Sequence, residues 1–276
     1  MIRTIAFVMF VCAVVHAERQ VPNPECFISR PAQDPAAALC AGDNDLVIGN
    51  ETLKNNIRLA MAAFDGRAPL NPAVLGFMSP TYVQHQLEAI DGTAGVIALL
   101  TQLAGKGRVN VVRVLHDEDQ DGDYVVAHTD FPVFAFLGEI GPKIGFDVFR
   151  FEDGKVVEHW DQLQITPSEL NPSGRSMVDG VTQVTPATKS QTKANKALAK
   201  AYVEDILVNG RTEKLRSFFD GDNYIQHNPT AGDGVSGLIA AFGSATAKKV
   251  KYNRIRLVLG EGDFVLLPVR ERRMVF

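Results

Sequence analysis

Asp147-Val148-Phe149-Arg150-Phe151-Glu152-Asp153-Gly154-Lys155-Val156-Val157-Glu158-His159-Trp160-Asp161 is the stretch that decides the fold. Two β-rich runs, Phe146–Glu152 and Val156–Ile165, flank Asp153-Gly154. An Asp-Gly pair accepts the positive φ angles of a tight hairpin turn, so the stretch predicts two antiparallel strands. Side chains two apart on a strand share a face. Asp147, Phe149 and Phe151 therefore share one, and so do His159 and Asp161, with Trp160 opposite. Polar groups beside aromatic rings predict a ligand site with an apolar wall. A carboxyl desolvated by such a wall rises in pKa and can shuttle a proton near neutrality.

Working upstream, Val109–Leu115 and Asp123–Phe131 read as a second hairpin around the acidic turn Asp117–Gly122, with His128 and Asp130 on one face. That turn contains D-x-D-x-D-G, the opening of a calcium loop. The position for a bidentate Glu holds His128 and the flanks are strands, so a solvated hairpin turn is the expectation. A metal held by His128, His159 and an aspartate is conceivable from residue types alone. Leu53, Ile57, Ala60, Met61 and Phe64 recur at helical spacing, and Asp91–Leu103 reads as a further helix. His85 sits between these helices and the sheet. The class is α+β.

The pattern occurs twice. Tyr82-Val83-Gln84-His85 and Asp91-Gly92 return as Tyr224-Ile225-Gln226-His227 and Asp233-Gly234, each pair 142 residues apart. Thr192–Leu207 repeats the helix Thr52–Phe64, and Gly262-Asp263-Phe264-Val265 repeats Gly122-Asp123-Tyr124-Val125. Nothing after Leu267 matches Phe146–Ile165, so the second copy reads as incomplete: a misread 3′ end, strands supplied by another chain, or an unstable half. A stretch rich in Ser, Thr, Pro and Gly, 166–192, reads as a linker. The expected organisation is 1–17 leader, 18–49 arm, 50–165 first copy, 166–192 linker and 193–276 second copy.

Arg3 precedes an apolar run from Ile5 to Val15, too short to span a membrane. Residues 1–17 read as a cleaved signal peptide, hence a secreted or periplasmic protein; the alternative is a buried N-terminal strand or helix. Cys12 falls in that run. Cys26 and Cys40 remain, and in an oxidising compartment they are expected to bridge; two unpaired thiols in a loose arm are the alternative. Asn50-Glu51-Thr52 is an N-glycosylation sequon. With a net charge of −4 and no basic block, nucleic acid is not an expected partner. No nucleophile elbow, phosphate loop or dinucleotide fingerprint appears.

The hairpin Asp147–Asp161 resembles the C-terminal hairpin of SnoaL-like proteins, the polyketide-cyclase branch of the nuclear transport factor two-like superfamily. Tyr82-Val83-Gln84-His85 with Asp91-Gly92 resembles the same family's post-helix motif. The resemblance implies a cone, a curved antiparallel sheet wrapped on helices. It implies acid/base ring closure by aldol condensation without metal or organic cofactor, on a small apolar carbonyl compound. It makes Asp147 the lead catalytic residue, with His85, His128, His159 and Asp161 orienting substrate or tuning that acid. Tyr82, Asp130, Phe149 and Phe151 would line the pocket. It further implies pairing through sheet faces, as a homodimer or as a pseudo-dimer within one chain. A non-catalytic binding or dimerisation module of the same fold is the other function class, because a fold does not choose a reaction. The plain structural roles stay open: Asp147 pairing with Arg150 or Lys155, His159 as a hydrogen-bonded core residue, His85 as a cap.

Overall fold

A computed structural model describes residues 11–14, 46–66, 71–86, 89–103, 106–119, 121–136, 139–243 and 250–273. Cys26 and Cys40 lie outside them. In the first copy, α1 (Glu51–Ala62), the short α2 (Ala73–Gly76) and α3 (Gly92–Leu103) precede or interrupt the strands β3 (Met78–Gln84), β4 (Gly107–Asp119), β5 (Gly122–Phe136), β6 (Glu139–Ile140), β7 (Lys143–Glu152) and β8 (Lys155–Ile165). Two short strands, β1 (Val11–Val14) and β2 (Leu46–Val47), come before them. The helix α1 starts where Asn50 Oδ1 accepts from the backbone N–H groups of Thr52 and Leu53, satisfying two donors that the first turn leaves free. Its stripe Leu53, Ile57, Ala60 and Met61 is buried.

The sheet order is β3-β8-β7-β5-β4, with β6 pairing to β5. All neighbours are antiparallel except β3 and β8. The Asp-Gly turn forms as expected: Asp153 and Gly154 take φ of 48° and 72°. The concave face closes on α1 and α3 through Val125, Ala127, Phe149, Phe151 and Val156, joined by Ile57, Met61 and Leu100.

After the linker come β9 (Ala187–Thr188), which pairs with β2, and α4 (Lys189–Tyr202), continued by a π-helical turn over Val203–Val208 and a 3-10 stretch over Thr212–Phe218. Then follow α5 (Gly234–Gly243), β10 (Val250–Ile255), β11 (Leu259–Glu261), β12 (Phe264–Leu267) and β13 (Val269–Arg273). The two copies agree in detail at the repeated turn. Gln84 N donates to Asp91 Oδ1 at 2.8 Å, and Gln226 N to Asp233 Oδ1 at 2.9 Å. Gln86 N donates to Gln84 Oε1 at 3.0 Å, and Asn228 N to Gln226 Oε1 at 2.8 Å. Gly92 and Gly234, which follow the aspartates, have φ of 76° and 80°, accessible to glycine at little cost.

The copies meet face to face. Tyr124, Val126 and Val148 point away from the first core and pack with Leu259, Phe264 and Leu266 of the second copy. Alternation assigns the remaining residues: Val125 and Ala127 enter the first core, Val265 and Leu267 the second. Burying a Leu or Phe side chain is worth on the order of 2 kcal/mol, so this layer contributes substantially to joining the copies. A buried carboxylate reinforces it. Glu261 Oε1 accepts from Lys54 Nζ and Gly49 N, both at 2.8 Å, and Oε2 accepts from His116 N at 2.7 Å.

The linker is not a loose tether. Arg113, on β4, donates Nε to Val181 O at 2.7 Å and Nη2 to Val178 O and Asp179 O at 3.2 and 2.7 Å. Arg175 binds Asp233 through Nε at 2.9 and 2.8 Å, and Asn171 Nδ2 donates to Gln226 O. The residues 11–14 form a strand, β1, paired antiparallel with β12.

Candidate functional site

The register of the sheet sorts the site residues. Asp147 lies opposite Ala127 on β5 and opposite Asp161 on β8, so Asp147, His159 and Asp161 face the first core together. His159 Nε2 is 3.3 Å from Asp147 Oδ1. Thr129 Oγ1, 3.2 Å from both Asp147 Oδ2 and Gly145 O, has one proton to share between them. The rings of Phe149 and His159 stack 4.5 Å apart, and the Tyr82 ring lies 6.5 Å from that of His159. Tyr82, Phe149, Asp147 and His159 are each 6% exposed or less.

Gln84 fixes the protons. The backbone N–H of Gln86 can only donate, so the Gln84 atom it meets is the oxygen Oε1. His159 Nδ1 lies 2.9 Å from that same oxygen and must carry a hydrogen. When His159 is neutral its Nε2 is therefore a lone pair, and it faces Asp147. A hydrogen bond between Nε2 and Asp147 Oδ1 needs a proton beyond those of the neutral imidazole and the carboxylate. Gln84 Nε2 in turn donates to Tyr82 OH at 2.9 Å, which leaves the phenol hydrogen free to donate elsewhere. Burial first, then the charges of Asp161, Asp147 and Asp91, hold the Tyr82 phenol well above the usual tyrosine range, so it remains protonated.

Three expected site residues lie elsewhere. His128 and Asp130 do share a face, but it is the outer one, because Ala127 and Thr129 are the inward residues next to Asp147. His128 stacks on Phe146 at 4.2 Å and accepts from Arg113 Nη1 at 2.7 Å, while Asp130 accepts from Asn110 Nδ2. His85 follows the last residue of β3 and points out; it stacks on Trp160 at 5.0 Å and donates to Glu158 Oε1 at 2.7 Å. Phe151 shares the face of Asp147 but is locked in the core at 1% exposure. Gln84 and Thr129, which complete the site, were not singled out; Gln84 was visible only as the unremarked neighbour of His85 in a repeated motif.

The rings of Tyr82 and Phe149 flank His159. A cleft of about 300 Å³ lies between the copies, bordered by α1, β4, Thr182–Val184 and Glu261. Along β8, half-buried Asp161 and Leu163 extend the face of His159 toward the strand's end. Asp117, first residue of the acidic turn, is committed to Lys196 and to Gly260 N. Among the described residues no three His, Cys, Asp or Glu side chains gather as metal ligands, and no helix is long and apolar enough to cross a membrane.

No protein-family model and no curated protein matches the chain. Solved structures that resemble it include TsrD from Streptomyces laurentii, at 19% identity over 43% of this chain and 92% of that one, with a TM-score of 0.33. A Bacillus cereus protein named as a polyketide cyclase matches at 14% identity over 41% of this chain and 74% of its own, TM-score 0.32. An NTF-2 like protein from Burkholderia xenovorans matches at 17% over 44% and 89%, TM-score 0.33. These are likenesses of fold, and at such scores they carry no argument about reaction or ligand.

Proposed function

We propose that the first copy is a SnoaL-like acid/base catalyst acting on a small apolar carbonyl compound, with proton transfer as its chemistry. One observation carries the reading: His159 Nε2 lies 3.3 Å from Asp147 Oδ1 in a nearly dry interior, with Nδ1 held as the donor to Gln84 Oε1. In that arrangement the pair can take a proton from a carbon next to a carbonyl. The Tyr82 O–H is the donor available to the developing enolate oxygen. Phe149 supplies apolar wall, and Asp161 and Leu163 mark the approach. The second copy retains the turn motif, and through Leu259, Phe264 and Leu266 it covers the outer face of the first sheet as a pseudo-dimer partner within the chain.

The test is exchange of the acidic C–H of small β-dicarbonyl compounds in D₂O, followed by proton NMR. The full chain is expected to accelerate exchange saturably. Asp147→Asn should lower the rate by about 10²–10⁴-fold, the usual worth of a general base. Unchanged exchange in Asp147→Asn, with every compound that the chain turns over, would refute the mechanism.

A further inference from the structure

In the first copy β5 has β4 on one side and β7 on the other. The repeat aligns Tyr124–Ala127 of β5 with Phe264–Leu267, which is β12. The burial of these residues follows the alignment: Tyr124, Val126, Phe264 and Leu266 enter the layer between the copies, while Val125, Ala127, Val265 and Leu267 enter their own cores. The hairpin partners also correspond, with Asp117 opposite Tyr124 and Glu261 opposite Phe264. On its other side, where β5 pairs with β7, β12 pairs with Val11–Val14. Both pairings are antiparallel: Tyr124 to Ala127 face Arg150 to Asp147, and Phe264 to Leu267 face Val14 to Val11.

We infer that the free edge of β12 is a strand-acceptor slot and that Val11–Val14 fills it, in the position that β7 takes beside β5. The physical reason is that an uncovered edge leaves a row of backbone N–H and C=O groups unpaired beside Val265, Leu266 and Leu267, all at 1% exposure or less. An extended apolar segment satisfies that row without adding charge, and Val11–Val14 is such a segment. The N-terminal run then does more than address the chain: while attached, it completes the second sheet, and a cut after residue 17 would open the edge.

Amide hydrogen exchange of the full chain, compared with a chain beginning at Glu18, tests this. Amides of Phe264–Leu267 are expected to exchange at least tenfold faster in the shorter chain, while those of β5 and β7 keep their protection. A free peptide of residues 8–17 should restore protection in a saturable way. Ala13→Pro in the full chain, which removes a backbone donor from the strand, should reproduce the loss. Equal protection of Phe264–Leu267 in the long and short chains overturns the inference. So does an Ala13→Pro chain as protected as the parent. Carbonyl turnover resides in the first copy, so this outcome and that of the exchange assay on dicarbonyls are independent.

Discussion

Replacing His128 with Gln tests whether the junction between the copies depends on a neutral histidine. Arg113 Nη1 donates to His128 Nδ1, so Nδ1 must be a lone pair and the ring proton must sit on Nε2. Among the described residues, Nε2 is buried and meets no acceptor. Asp179, whose backbone carbonyl accepts from Arg113, has its carboxylate engaged by His227 Nδ1 at 2.9 Å. Burial, then the charge of Arg113, then that of His227, lower the His128 pKa from the ordinary 6.5 to about 3. A lowered histidine pKa means that folding favours the neutral form. The associated stability is fully present above pH 6.5 and is lost as the pH falls toward 3. At pH 4.5, two units below the unfolded value, the loss is roughly 3 kcal/mol relative to pH 8. Gln can still accept from Arg113 but does not titrate. Urea unfolding of parent and His128→Gln chains at pH 8 and pH 4.5 gives the comparison. Other carboxylates titrate in both proteins and cancel in the difference. The parent should lose roughly 2–3 kcal/mol more than the variant between these pH values. Equal losses would refute the argument that His128 is held neutral by its surroundings.

Gln84→Leu removes the acceptor of the His159 Nδ1–H while leaving the strand intact. The orphaned donor should cost about 1–3 kcal/mol in urea unfolding, and the ¹⁵N spectrum of His159 should show a mixture of tautomers instead of one. Glu261→Ala leaves Lys54 buried with only the exposed Glu51 as partner, at 2.6 Å, and strips an acceptor from Gly49 N and His116 N. Thermal and urea unfolding should show a loss of about 3–5 kcal/mol, the cost of breaking a buried ion pair from one side.

Local rules made the hairpins legible. Asp153-Gly154 announced one turn, and alternation placed Asp147, Phe149, His159 and Asp161 on a single face. The rule failed at β5 because both faces of that strand are buried. Tyr124, Val126 and His128 are covered by the second copy as thoroughly as Val125 and Ala127 are by the first core. With no polar face to read, alternation alone could not say which side His128 takes; the register Ala127 opposite Asp147 does. His85 was chosen for its residue type, yet β3 ends at Gln84, and the inward positions are Tyr82 and Gln84. The linker misled by composition. Its fixed shape comes from Arg113, Asn171 and Arg175, whose partners lie 55 or more residues away and leave no local trace.

The repeated motif has a different meaning from the one its histidines invite. In both copies the aspartate of Asp-Gly accepts from the glutamine backbone, and the glutamine side chain accepts from the residue two further on. These bonds hold the Gln-containing segment, a strand end only in the first copy, against the start of the following helix, and they form whether or not a counterpart of the Asp147–His159 pair lies nearby. His85 and His227 diverge in their contacts: one stacks on Trp160, and the other binds Ser176 O and Asp179. Conserving the turn in the second copy therefore does not imply a second active centre. The glutamine gains a further role only in the first copy, where β8 brings His159 to its oxygen. In the first copy the hairpin β7–β8 adds Asp147 and His159 to a turn whose own bonds are structural, which is why the motif alone does not locate the proposed site.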